Sequence, residues 1–447
     1  LAIKKGKIVD SLIEPSTGNY YSIYLPKTFS TNKTYPILLG FRSSEESNSI
    51  MKLTKEAAEQ NEYILAVSTF SEHQEIKEKV AYISKFLEHI LSLFPIQKER
   101  VYLVGVESNA KLMSILPALH SDTIAGVLAI EDTYYYNSAI KIKKNFSYQG
   151  IVNTDNYRYR DFLDNKRYLK SKAIPADVLV YEEDSEEVKK ELAKKVLSTF
   201  TLQAMHKGKV LKDSLWIQNL FEHEMEQVEE YIARNKLLDA YKEIKRIRIK
   251  YGMFFSTSYL KEKQKEIKKE KNYRLEKRLQ TKYQNKEIFL REMYSFSMDE
   301  DVEVLDYENL GWWKYQVSLL DTLISGKEKF ARKMGHRVKG YLKYLASEYK
   351  KSTLDEKGGF EEQLYLNILC TVVDAKDFDS YLKIISLCAQ DQDSETALFY
   401  LKELLKNEFK DLDALYTIEG TLALKLSKDY NKLVKQYLGK SKYLVSD

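Results

Sequence analysis

Cysteine is nearly absent: Cys370 and Cys388 are the only two in 447 residues. A disulfide scaffold and a Cys-rich zinc site are thereby excluded. Proline and glycine are also scarce, at 6 and 16. That argues against a turn-rich β-sandwich and for many helices. There are six histidines, and no spacing among them suggests a metal site. No run of ~18 uncharged apolar residues occurs, so no segment can cross a membrane as a helix. No Gly-rich phosphate loop or dinucleotide fingerprint is present either. No cofactor and no metal are expected.

The chain does hold 44% hydrophobic, 31% charged and 12% aromatic residues, which is enough apolar material for real cores. Its length suggests two or three domains of ~150 residues. The net charge of +5 is small, and nucleic-acid binding is not expected. One segment is an exception. Lys261 to Lys286 holds eleven Lys/Arg against four Glu. It reads as a long basic helix, solvated and laced with Glu–Lys pairs at i,i+4 through Glu262, Glu266 and Glu270. Attraction to anionic lipid, nucleic acid or an acidic partner is its functional alternative, and peripheral membrane association stays open. The first residue is Leu1, which we read as a processed or trimmed start, with any targeting signal out of view.

The first ~208 residues alternate between two patterns. Strand-like runs occur at Tyr20–Pro26, Ile37–Phe41, Tyr63–Val67, Val101–Gly105, Ala125–Ile130, Gly150–Val152 and Asp177–Tyr181. Between them lie apolar stripes at helical spacing, such as Ile76, Val80, Ile83, Leu87, Ile90 and Phe94. This alternation predicts an α/β domain, a mostly parallel sheet covered on both faces, over 1–208. From 209 to 447 helices alone are expected, including a hairpin of Trp216–Arg234 with Leu237–Lys250. A later set follows at Ser394–Lys406, Leu412–Leu426 and Asp429–Leu438, with a break at Gly358-Gly359. The set is loosely similar to tetratricopeptide pairs, although no clean 34-residue period emerges.

In a parallel sheet, chemistry sits at the carboxyl ends of the strands. Val101 to Gly105 is followed by Val106, Glu107, Ser108, Asn109 and an apolar helix. A strand, a sharp turn and a helix are the setting of a nucleophile elbow. Together with the opening strand Tyr21–Pro26, and with Val101, Tyr102 and Gly105 in a Val-Tyr-x-x-Gly-x-Ser-Gly-Gly pattern, residues ~5–210 resemble the α/β-hydrolase superfamily. The nearest resemblance is to the esterase or polyhydroxyalkanoate-depolymerase-like proteins of Gram-negative bacteria, some of which carry a helical C-terminal extension. The resemblance implies an α/β-hydrolase fold and a Ser–His–acid triad.

The triad positions depart from that pattern. Glu107 stands at the nucleophile, Asn156 at the acid with Asp155 one residue early, and Ser185 in the base turn where a histidine is implied. Five carboxylates between Glu182 and Glu187 would repel an oxyanion there. The segment from Phe41 to Glu46 replaces a Gly-containing oxyanion loop. Without a base and a hydroxyl, acyl transfer by that route cannot run. We therefore expect no catalytic residues and no enzyme activity. The chain is read as a pseudohydrolase scaffold or accessory subunit that binds protein partners through its helical domain. An exported, periplasmic or cell-envelope setting follows from the resemblance, with the cytoplasm as alternative.

The rival is a serine esterase with a rearranged site. Ser108 would be its slipped nucleophile, served by His73, His120 or His206. Glu107 as a carboxylate nucleophile is a third option. Elsewhere, the acidic run Met298–Glu303 is read as packing or steering against the basic helix, Trp312-Trp313 as helix packing, and Tyr134–Tyr136 as a pocket mouth or contact. Both cysteines are expected to be buried thiols.

Overall fold

The computed structural model describes residues 3–43, 49–70, 76–120, 122–135, 145–355 and 358–443. Eight strands form one sheet: β1 (Ile8–Ile13), β2 (Tyr20–Tyr24), β3 (Tyr35–Ser43), β4 (Ile64–Phe70), β5 (Ile96–Val106), β6 (Ile124–Ile130), β7 (Ser147–Asn153) and β8 (Ala176–Tyr181). Their order is β1-β2-β4-β3-β5-β6-β7-β8. β2 runs antiparallel to both its neighbours, and every other pairing is parallel. This is the α/β-hydrolase order, and the fold is the one the resemblance implies. β1, unannounced by any continuous apolar run, is a half-exposed edge strand with a register shift between Val9 and Leu12.

Period-two alternation sends neighbouring residues of each strand to opposite faces. Ile37, Leu39 and Phe41 of β3 pack with Tyr82 and Phe86 of α2 (Ile76–Leu93), Met113 of α3 (Ser108–Leu119) and Phe162 of α4 (Tyr159–Ser171). On the other face Leu38 joins Met51 and Ala58 of α1 (Ser49–Asn61) and Val196 and Phe200 of α5 (Glu186–His206). The order reverses between β3 and β5, which makes the carboxyl end of β5 the topological switch point.

After His206 the chain is helical: α6 (Ser214–Ala233), α7 (Leu237–Tyr251), α8 (Ser258–Lys269) and α9 (Lys271–Val304) follow. The compact units are Leu1–Leu279 and Gln280–Asp447. The change of element type near 208 is therefore not where the packing divides. α6 and α7 are tied to α5 inside the first unit by ionic contacts. Lys195 of α5 bonds Gln227 of α6 and lies 3.5 Å from Glu243 of α7. Glu224 of α6 takes Arg246 (3.2 Å) and Lys250 (2.6 Å) of α7. The expected long basic helix is two helices, broken at Glu270, whose backbone is extended; no proline or glycine marks the break.

The second unit contains α10 (Leu310–Ser325), α11 (Lys329–Asp355), α12 (Phe360–Val373), α13 (Phe378–Gln390), α14 (Ser394–Lys406), α15 (Leu412–Thr417), α16 (Leu422–Leu426) and α17 (Lys428–Leu438). From α10 to α14 each helix packs on the next. Trp313 is buried, as expected for packing, and its indole N–H donates to Asp301 at 2.7 Å. Asp301 is thus a structural acceptor within the acidic run. Cys370 and Cys388 are buried free thiols, both pushed up to about 11 by burial.

Helix N-caps recur at a fixed interval: Gly359, Asp393 and Ser427 begin α12, α14 and α17, while Asp377 and Asp411 begin α13 and α15. Each step (359 to 393 to 427, and 377 to 411) is 34 residues, the period the apolar pattern does not display. The single helix expected over Leu412–Leu426 is instead two, parted at Gly420, whose φ of 74° is open to glycine.

Candidate functional site

The site is built on the sharp exit of β5. Helix α3 starts at once and lies directly over the strand, so Gly105 has no room for a side chain. A Cβ there would stand 2.6 Å from the Ala110 Cα and 2.7 Å from the Asn109 carbonyl oxygen. The chain then turns through Glu107, at φ 49° and ψ −132°. Such a conformation is rare for a residue with a Cβ and costs of order 1–3 kcal/mol. The surroundings hold it in place. Glu107 N–H donates to the Ile130 carbonyl (2.8 Å), and its own carbonyl accepts from Ala110 N–H (2.8 Å). The result is an exposed Glu107 side chain at the position where the resemblance implies a nucleophile, followed by exposed Ser108. The Glu107 carboxylate makes no capping bond to α3.

Next to the elbow stands a carboxylate that the sequence reading passed over. Val106 pairs with Ile130 and Ile130 with Ile151, so the ends of β5, β6 and β7 are level. Glu131 leaves β6 at φ 63°. Its carboxylate accepts from Asn153 N–H (3.0 Å), the Tyr181 hydroxyl (2.5 Å) and the Asn156 amide (2.5 Å). One side chain thereby ties β6, β7 and β8 together at the carboxyl edge. Asp132 follows, buried and paired with Arg158 at 3.0 Å. Burial pushes its carboxyl up, against the pull of Arg158 and Lys111. The signal in the sequence is the pair Glu131-Asp132 directly after the Ala125–Ile130 run.

These contacts engage side chains at the positions where the resemblance implies a triad. Asn156 donates to Glu131, and its Oδ1 accepts from Arg158 N–H at 2.7 Å. Both ends of its amide are engaged within the turn. Asp155, one residue earlier, donates its N–H to Asn153 (2.8 Å) and keeps one buried carboxylate oxygen without a hydrogen-bond partner among the described residues. Ser185 is the N-cap of α5 and accepts from Val188 N–H at 3.2 Å. The expected repulsive cluster is partly neutralised. Lys189 pairs with Asp184 (2.6 Å), and Lys190 pairs with Glu186 (3.0 Å) and Glu187 (2.9 Å). Glu186 and Glu187 also lie in the first turn of α5, where the helix dipole favours them.

Two of the three histidines proposed for Ser108, His120 and His206, lie away from the elbow. His120 ends α3, twelve residues and thus ~18 Å from Ser108 along the helix, and bonds Ser84 at 2.8 Å. His206 ends α5, edge-on to Phe254 with 6.3 Å between ring centroids. It is a full helix length from the carboxyl edge. His73 lies outside the described residues, as do Ser44 to Glu46 of the oxyanion-loop position and Tyr136. Tyr134 is buried edge-on to Tyr148, so it is core and not a pocket mouth. Among the described residues, no hydrogen bond reaches the Ser108 hydroxyl.

No family model matches the chain, and no curated protein sequence matches it. Similar solved structures exist, and those described next each cover less than half of this chain. S-formylglutathione hydrolase from Staphylococcus aureus is 12% identical, covers 45% of this chain and 99% of its own, and has a TM-score of 0.36. The feruloyl esterase module from Clostridium thermocellum is 12% identical, covering 43% of this chain and 87% of its own, with a TM-score of 0.36. A hyperthermophilic esterase from the archaeon Pyrobaculum calidifontis is 8% identical, covering 45% and 87%, with a TM-score of 0.38.

Proposed function

We propose that this α/β-hydrolase-fold chain is a non-catalytic scaffold or accessory subunit of a larger protein assembly. The observation that supports it is the occupancy of the three triad positions. A glutamate fills the strained elbow, an amide already engaged on both sides fills the acid position, and a helix-capping serine fills the base turn. Activating a serine needs a base and an orienting acceptor, and these side chains supply neither. In this reading the hydrolase-like part ends near residue 208, and the helical extension over 209–447 carries the partner surface. The 34-residue spacing of caps supports a tetratricopeptide-like character for its C-terminal helices, and stacked helix pairs of that kind serve as protein-binding surfaces. A cell-envelope location is part of the proposal and rests on the resemblance alone.

A serine esterase with a rearranged site is the second reading. The exposed Ser108 and the spare buried oxygen of Asp155 favour it. Two measurements on the purified full chain separate them. The scaffold reading expects short-chain acyl esters to be hydrolysed no faster than in buffer, and expects a stoichiometric protein partner on purification from the native source. Saturable ester turnover that Ser108→Ala abolishes would establish the second reading.

A further inference from the structure

The outer face of α9 within the second unit carries an ordered pattern of charge and aromatic groups. Its inner face is occupied: Tyr294 and Met298 pack with Trp313, and Glu287 is buried in a two-pronged pair with Arg337 of α11 at 2.6–3.0 Å. On the opposite side, at 100° per residue, the helix presents Lys282, Lys286, Phe289, Phe296, Glu300 and Glu303. All six are exposed, Phe289 at 64% and Phe296 at 65%. The two rings are seven residues apart, so they lie on one line along the helix, the spacing that suits contact with a second helix. Basic residues precede them and acidic residues follow. Asp299 is already held by the Tyr349 hydroxyl at 2.9 Å, which leaves Glu300 and Glu303 as the acidic end of the stripe.

These charges cannot satisfy one another within α9. Lys282 and Glu303 are 21 residues apart on a continuous helix, ~31 Å, well beyond the screening length of ~8–10 Å. The acidic run therefore does not fold back on the basic residues of its own helix. Their order also opposes the helix dipole: α9 has no acidic residue in its first turn and no basic residue in its last. An antiparallel copy removes both problems, because the stripe is self-complementary end to end.

We propose that this face of α9 is a two-fold homodimer interface whose occupant is α9 of a second copy of the chain. Phe289 packs on the copy's Phe296, Lys282 faces the copy's Glu303, and Lys286 sits beside the copy's Glu300. The two-fold repeats each contact, so the assembly closes at two. This inference is independent of whether the hydrolase-like site is active.

Light scattering of the full chain on a sizing column, across a dilution series, tests it. The expected mass is twice that of the chain, falling to a single chain mass for Phe289→Glu with Phe296→Glu, with the circular dichroism unchanged. Lys282→Glu with Lys286→Glu should also give a monomer, and adding Glu300→Lys and Glu303→Lys should restore the dimer. A monomer at every concentration overturns the proposal. So does a dimer that survives the Phe substitutions, or a fourfold charge swap that stays monomeric. Binding of a monomeric chain to phosphatidylserine vesicles through Phe289 and Phe296 also overturns it, in favour of a lipid surface.

Discussion

Gly105 and Glu107 show how a single turn can keep its shape after its chemistry has changed. The first is held by space and the second by the hydrogen bonds around it. Gly105→Ala drives a methyl into the backbone of α3 and should destabilise the first unit by about 1–3 kcal/mol, the usual cost of overpacking; urea denaturation followed by fluorescence reads it. Glu131 is predicted to matter as much. Glu131→Ala leaves a tyrosine hydroxyl, an amide and a backbone N–H without their acceptor, at about 1–3 kcal/mol for each one that stays buried and dry. Glu131→Gln keeps an acceptor oxygen and should lose less in the same titration. A loss for Glu131→Ala no larger than that of a surface control would contradict the bridging role. At this scale the sequence reveals Gly105, because a strand running into a helix demands it. It conceals Glu131, because a carboxylate after a strand looks like any solvated turn residue until three strand ends are brought level.

Among the elements, α5, α6 and α7 share a cluster of charge alongside apolar contacts such as Phe221 with Tyr251. Glu243 is held down to about 2; burial alone would raise it, and Arg246 with Lys195 and Lys250 outweighs burial. A carboxylate whose pKa is lowered by folding adds stability above its unfolded value, near 4.5, and loses it as pH falls toward 2. Acid titration of the folded chain should therefore show stability falling through that window, and Glu243→Gln should flatten the slope. Arg246→Met strips Glu224 and Glu243 of their shared partner and should cost about 3–5 kcal/mol at neutral pH. An unchanged denaturation midpoint would mean that the cluster is not structural. The helices themselves were readable from apolar spacing. The 34-residue repeat was not, because equivalent core positions differ in kind: Tyr381 answers Leu415, and Asn367 answers Leu401. It was written in the caps, where Lys376-Asp377-Phe378-Asp379 returns as Lys410-Asp411-Leu412-Asp413. A side chain that bonds the backbone keeps its place when packing partners drift.

For the molecule as a whole, strand runs and helical stripes were enough to predict a parallel α/β domain followed by helices. The division of packing at Leu279 was not, since nothing local in the chain distinguishes helices tied to the sheet unit from helices beyond it. At the carboxyl edge of the sheet, the side chains where the resemblance implies an acid and a base are engaged, Asn156 with Glu131 and Ser185 in capping α5, while the elbow presents an exposed glutamate in place of a serine. The most direct test is to expose the intact chain to a fluorophosphonate, which bonds only to an activated serine, and to map any adduct by peptide mass spectrometry. The account predicts no adduct on any serine. Stoichiometric labelling of Ser108 that is lost in His73→Ala would contradict it and identify the chain as a working serine hydrolase.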